Sequence, residues 1–241
     1  ADKHWYADGE LRLALDDVGK YSLRLNGYNK LARRDNPYTI TQPSITLMSL
    51  FLKNDYGDYY YAQGGSAAVE VSFGQLRFIR RDVFVRPTRF SVTFRNENHE
   101  PALVNTDFAI FGSGPFRDNP PAFTGTLRSL SMEFNWNYHP ERRFSGVGWQ
   151  IKGEVSEPSI IPSDFRFRQL LSTLVIHMPT LPLWMLELRL TAGWSYGDVP
   201  PQRFFSLESA ASSIAAAGAL RGLYVKEFYG DRFATASIEH N

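Results

Sequence analysis

Leu130-Ser131-Met132-Glu133-Phe134-Asn135-Trp136-Asn137-Tyr138 alternates without a break between large apolar and polar side chains. Successive side chains of an extended strand point to opposite faces, so one face of this segment carries Leu130, Met132, Phe134, Trp136 and Tyr138. The other carries Ser131, Glu133, Asn135 and Asn137. A polar turn follows at His139-Pro140-Glu141-Arg142-Arg143. The alternation then resumes, with Val147, Trp149, Ile151 and Val155 facing one way and Gln150, Lys152 and Glu154 the other. Two such runs around a polar turn predict a hairpin.

The same pattern extends in both directions. Residues 165–178 place Leu170, Leu174 and Ile176 opposite Gln169, Thr173 and His177. After a turn at Pro179-Thr180-Leu181-Pro182, the return strand sets Trp184, Leu186, Leu188 and Leu190 against Glu187, Arg189 and Thr191. Prolines suit the turn because they cannot donate to a strand ladder. Upstream, residues 10–16 and 20–31 form a hairpin, as do 66–80 and 88–98, and a last strand covers 232–241. The expected strands are about 10–14 residues long, where globular strands average about 5–6 and a tilted membrane-crossing strand needs about 9–11. Connections after Asp16, Arg81, Tyr138 and Met178 are short. Those near 32–65, 99–124, 156–163 and 196–228 are mostly long and rich in Gly, Pro, Asn and Asp. Short turns alternating with long loops are the pattern of outer-membrane barrels.

The expectation is therefore an all-β fold, an antiparallel transmembrane β-barrel built as a meander of long strands, with residues 1–241 as a single domain. The pattern yields nine strands, whereas single-chain bacterial barrels use even numbers, and an open strand edge is costly in lipid. The chain is thus read as an incomplete barrel segment that continues beyond Asn241. Ala1 opens directly in polar sequence, which fits a removed signal or numbering that begins inside a longer protein.

Composition narrows the function. A net charge of +1 gives no bulk attraction for nucleic acid. Arg77, Arg80, Arg81, Arg86 and Arg89 read as a solvated or lumen-facing set. The absence of cysteine rules out disulfides, thiolate metal sites and cysteine nucleophiles. No apolar run is long enough for a transmembrane helix. His4, His99, His139, His177 and His240 do not share metal-ligand spacing, and Ser172 and His177 fall on opposite faces. Asp55, Asp58, Asp107 and Asp118 read as solvated loop positions. No metal, cofactor or enzymatic activity is expected. Aromatic residues make up 15% of the chain, enough to furnish girdles at two membrane interfaces.

The C-terminal third carries Phe204-Phe205-Ser206-Leu207-Glu208, then Gly218-Ala219-Leu220-Arg221-Gly222-Leu223, then Gly230-Asp231-Arg232-Phe233 leading to Glu239. This arrangement resembles the outer-membrane surface-antigen superfamily, which includes the barrel-assembly insertase and the two-partner-secretion pores. The earlier segments Leu47-Met48-Ser49-Leu50-Phe51-Leu52 and Asn105-Thr106-Asp107-Phe108 are similar to uncharacterised barrels associated with carboxypeptidase-regulatory-like domains. The resemblance implies a loop that folds into the lumen through Leu220, Arg221, Gly222 and Leu223, with Glu239 as the partner of Arg221. The Ala-rich run 210–219 stands where the family often has Gly-Gly, and residues 209–220 suit a short helix.

Three readings follow. The first is an outer-membrane barrel serving assembly or the export of protein or lipid, in contact with outer-membrane lipid and with periplasmic or lipoprotein partners. The second is a passive pore or structural surface barrel. In both, Glu133, Asn135, Asn137, Lys152, Glu154, Glu187 and Arg189 line the lumen. The third is a soluble all-β binding protein with the aliphatic and aromatic face turned into a core.

Overall fold

The fold is taken from a computed structural model, which describes residues 5–34, 42–53, 55, 57–73, 88–103, 108–111, 113, 115–138, 145–181, 184–207 and 228–240. Nine strands form one sheet: β1 (Ala7–Ala14), β2 (Tyr21–Arg33), β3 (Tyr59–Phe73), β4 (Thr88–Pro101), β5 (Gly125–Trp136), β6 (Gly146–Ser156), β7 (Arg166–Leu181), β8 (Trp184–Asp198) and, after the short pair β9 (Phe205–Ser206) and β10 (Tyr229–Gly230), β11 (Arg232–His240). Every pairing is antiparallel, and the order β1-β2-β3-β4-β5-β6-β7-β8-β11 follows the chain. This is the all-β meander expected from the alternation. The sheet is not closed, since β1 and β11 each have one neighbour among the described residues.

The sheet is nevertheless rolled. β2 and β11 stand seven places apart in the strand order. At ~4.8 Å per neighbour, a flat sheet would separate them by ~34 Å. Yet the Arg34 guanidinium, just past the end of β2, lies 5.3 Å from the centre of the Tyr229 ring, just before β11. Arg34 Nη1 also donates to the Pro201 carbonyl at 2.9 Å. At the long-loop end, then, the sheet curls until its far parts meet.

Alternation assigns the two sides of the roll. On β5, Leu127 and Ser129 are buried on the concave side, followed by Ser131, Glu133 and Asn135, while Leu130, Met132, Phe134 and Trp136 face outward. On β8, Glu187, Arg189 and Ser195 are buried, whereas Trp184, Leu190, Trp194 and Tyr196 are exposed. Leu11, Leu13, Leu25, Val69, Phe94, Trp149, Leu170 and Ile238 are outward and exposed on their own strands. On β8 this band runs from Trp184 to Trp194, a rise of ten residue steps. At ~3.4 Å per residue and ~40° tilt, that span is ~26 Å tall, the height of the apolar band of a membrane barrel.

The long connections converge on the opening at their end. β2 and β3 are joined through helix α1 (Gln42–Leu52), whose Leu50 and Phe51 carbonyls accept the Ile110 and Phe111 amides. Asp58 holds Arg34 at 2.5 Å and also pairs with Arg117. The Asn119 side chain receives the Tyr59 amide and donates to the Tyr59 and Ala102 carbonyls, which ties the β4–β5 connection to the start of β3. At the other end, Asn137 adopts φ 46° and its amide donates to the Val147 carbonyl at 3.0 Å. Asn137 therefore closes the β5–β6 hairpin, a turn role in place of the lumen-lining role expected from alternation.

Candidate functional site

The concave wall is polar, and its best-connected part lies near the long-loop end. Glu97 and His99 of β4 sit two residues apart and so share a face, with Glu97 Oε2 3.1 Å from His99 Nε2. Arg95, one step further along, places Nε 2.6 Å from Glu97 Oε1 and Nη1 3.0 Å from Glu154 Oε1 on β6. The Ser129 hydroxyl of β5 lies between these strands and donates to Glu154 at 2.6 Å. Two carboxylates and one arginine would leave the wall with a negative charge.

The compensating cation comes from outside the strands. After β8 the chain turns back through Pro200 and a single helical turn, Pro201–Arg203. A proline at the start of such a turn is preorganised for it. The turn carries Gln202 and Arg203 into the opening. Gln202 Nε2 donates to the Phe123 carbonyl at 3.0 Å and lies 3.1 Å from His99 Nδ1, while its Oε1 accepts the Phe123 amide at 3.0 Å. Arg203 Nη2 stands 3.6 Å from Glu97 and 3.9 Å from Glu154, and Gln169 holds the Arg203 carbonyl at 2.7 Å. Burial works against the Arg203 charge, but the Glu154 and Glu97 carboxylates outweigh it and raise the guanidinium pKa above its ordinary value. Leu127, Phe165 and Phe167 pack together at this level of the wall, so apolar bulk and the inward turn fill the opening together.

The same connection returns along β9 and β10, which pair Phe205 with Gly230. Phe205 lies against Phe233 of β11, with ring centres 5.3 Å apart, over Gly193 of β8. A Cβ at Gly193 would come within 2.4 Å of the Phe233 ring, so this glycine is what lets the aromatic pair lie on the wall.

Lower on the wall, His177 of β7 and Arg189 of β8 both contact Glu187, at 2.9 Å each. The Glu133 carboxylate accepts from Asn135 at 2.7 Å and Gln150 at 3.0 Å and lies 3.9 Å from the Lys152 ammonium. Glu133, Asn135, Lys152, Glu154, Glu187 and Arg189 thus all project from the concave face, in three separate groups. Glu239 is on the same face, directly across from Glu187 in the β11–β8 register. The motif Leu220, Arg221, Gly222 and Leu223 lies outside the described residues, as does the helix expected over 209–220. Arg203 was not singled out by the sequence. Its signal is the Pro-Pro-Gln-Arg run directly after a long strand, which marks an abrupt reversal without revealing where the arginine goes. On the outer face, Ser172 accepts the Trp149 indole N–H at 2.9 Å, on the opposite side of the sheet from His177.

Fold and wall together define a class: an all-antiparallel, barrel-like protein with a polar concave face and an apolar convex one. Among solved structures the chain is similar to BamA from Haemophilus ducreyi lacking POTRA domains 1-3, with 12% sequence identity and a TM-score of 0.48 over 85% of this chain. The chain spans 36% of the length of that BamA chain. No protein-family model matches the sequence, and no curated protein matches it.

Proposed function

We propose that this chain forms the wall of a transmembrane β-barrel in a bacterial outer membrane, acting in outer-membrane assembly or the export of protein or lipid and not in catalysis. The observation that carries the membrane reading is the convex band of exposed leucine, valine, phenylalanine and tryptophan bounded on β8 by Trp184 and Trp194. Soluble proteins rarely expose a continuous apolar patch of more than a few hundred Å². A soluble β-protein would instead bury that face, and here it is the polar face that is enclosed. Outer-membrane lipid is the natural solvent for the band, and periplasmic or lipoprotein partners are expected at the rim.

The inward turn favours assembly or export over a passive pore. Gln202 and Arg203 sit in the opening where a pore would need a water path. The test is migration of the full-length protein, extracted from membranes in detergent, on a cold denaturing gel. A compact unheated band running ahead of the boiled one is expected. A protein recovered in the soluble fraction with no such shift would sink the membrane reading, and a large steady conductance in planar bilayers would shift the balance to the pore.

A further inference from the structure

Near the short-turn end of the wall, three arginines converge on one carboxylate. Arg12 of β1 and Arg24 of β2 are direct cross-strand partners on the concave face. Like charges placed directly opposite are destabilising. Glu70 of β3 bridges them, with Oε1 3.3 Å from Arg12 Nη2 and Oε2 2.8 Å from Arg24 Nη2. Arg89 of β4 approaches the same Oε1 at 3.9 Å. Glu70 is enclosed at 7% exposure, while the Arg12, Arg24 and Arg89 side chains are 54%, 35% and 46% exposed to the concave side. Among the described residues, one carboxylate against three guanidiniums leaves two positive charges, and most of the N–H donors have no protein partner there. Two other carboxylates described on this wall do not cancel them. Glu133 is held by Asn135 and Gln150, and Glu10, on the same face of β1, makes no ion pair with the three among the described residues. Ser22, Ser72 and Ser91 line the same level through the β2–β3–β4 register.

We infer that Arg12, Arg24 and Arg89 form a binding site for a phosphomonoester group on the lumen wall. Guanidinium forks match phosphate oxygens, and the two uncompensated charges match the charge of about −1.5 to −2 that a phosphomonoester carries at neutral pH. A single carboxylate ligand would leave one cation unpaired. The group can reach the site as free phosphate or as a lipid headgroup entering beside β1, and the assay separates the two. This inference rests on the wall geometry and is independent of the choice between assembly, export and pore.

The full chain in maltoside micelles is titrated with inorganic phosphate, followed by ³¹P line broadening, and in parallel reconstituted into phosphatidylcholine nanodiscs with and without phosphatidic acid. Saturable phosphate binding is expected, weakened about tenfold by Arg24→Gln and again by Arg89→Gln. Glu70→Gln removes the internal competitor and is expected to tighten binding. Variants are compared only where the compact unheated band persists, so loss of fold is read separately from loss of the site. Binding to phosphatidic acid that free phosphate does not displace assigns the headgroup as ligand, and equal competition assigns the free anion. No saturable binding of either probe, or binding unchanged in the double arginine variant, overturns the proposal. So does capture of an acidic peptide in place of phosphate, which would make the ligand a polypeptide.

Discussion

Arg203 does its work as a charge more than as a hydrogen-bonding fork. Its Nη2 reaches Glu97 and Glu154 only at ion-pair distance, and Nε and Nη2 are buried without a hydrogen-bond partner among the described residues. With Arg95 it balances the two carboxylates, so Arg203→Met leaves one buried negative charge uncompensated. Breaking a buried pair in this way costs about 3 kcal/mol. The expected result is a marked drop in the temperature at which the compact gel band disappears, together with increased bilayer conductance as the turn leaves the opening. Arg203→Lys keeps the charge and should retain most of the stability. Equal loss in both variants would mean that guanidinium geometry matters and that this electrostatic account is wrong. Of the wall half, the sequence named Glu154, because period two places it with Lys152 on one face; Arg95, Glu97 and His99 were passed over, because the strand expected over 88–98 was read from Phe90, Val92 and Phe94 on its apolar face and stopped short of His99. The plug half was not legible. A turn that re-enters the lumen is fixed by tertiary packing against His99, Phe123 and Gln169, residues distant in sequence, and it leaves no local periodicity.

At the scale of elements, strands with clean alternation were found but their ends shifted, since β5 runs from Gly125 to Trp136 where 130–138 was expected and β7 continues through Pro179 to Leu181, and a strand without it was begun too late. β3 begins at Tyr59, ahead of the expected start at 66, because Tyr59-Tyr60-Tyr61-Ala62-Gln63-Gly64-Gly65 alternates poorly and its glycines speak against a strand. Gly64 is required there, since a Cβ would strike the Asn96 carbonyl at 2.1 Å across the β3–β4 pair. Helix α1 was hidden inside a long connection, its apolar run too short to read as helix or strand by period. The outward band makes the sharper claim. Leu188 sits near its middle on β8, and Thr191 faces the concave side. In lipid, Leu188→Arg is expected to cost ~2–4 kcal/mol, and Thr191→Arg far less because it enters a polar wall. Folding titrations in vesicles measure both. Brominated lipids should also quench Trp184 and Trp194 when the bromine sits near the headgroups and less when it sits at the acyl-chain ends. Equal tolerance of arginine at 188 and 191 would place both faces in water.

The whole molecule is a rolled sheet with two free edges among its described strands. In water such edges invite pairing with other strands, and in lipid each unpaired backbone group costs several kcal/mol. The roll brings the residue after β2 against the connection that leads into β11 at the long-loop end, where Arg34 is held by Asp58, lies over the Tyr229 ring and donates to Pro201. Curvature is thus clamped by a few side-chain contacts between the loops, whereas the strand ladder alone would permit a range of openings. Because the sequence has no cysteine, the clamp can be tested without background thiols. Cysteines placed at Arg33 and Phe228, beside the clamp and not within it, should be joined by a short bifunctional maleimide in folded protein, in micelles and in vesicles alike. A flat or loosely open sheet would hold the two sites ~34 Å apart and give no product. Arg34→Ala should reduce the yield without abolishing the compact band, since the nine-stranded ladder remains. Full yield in that variant would show that strand twist by itself closes the roll, and that the Asp58–Arg34–Tyr229 contact follows the curvature without causing it.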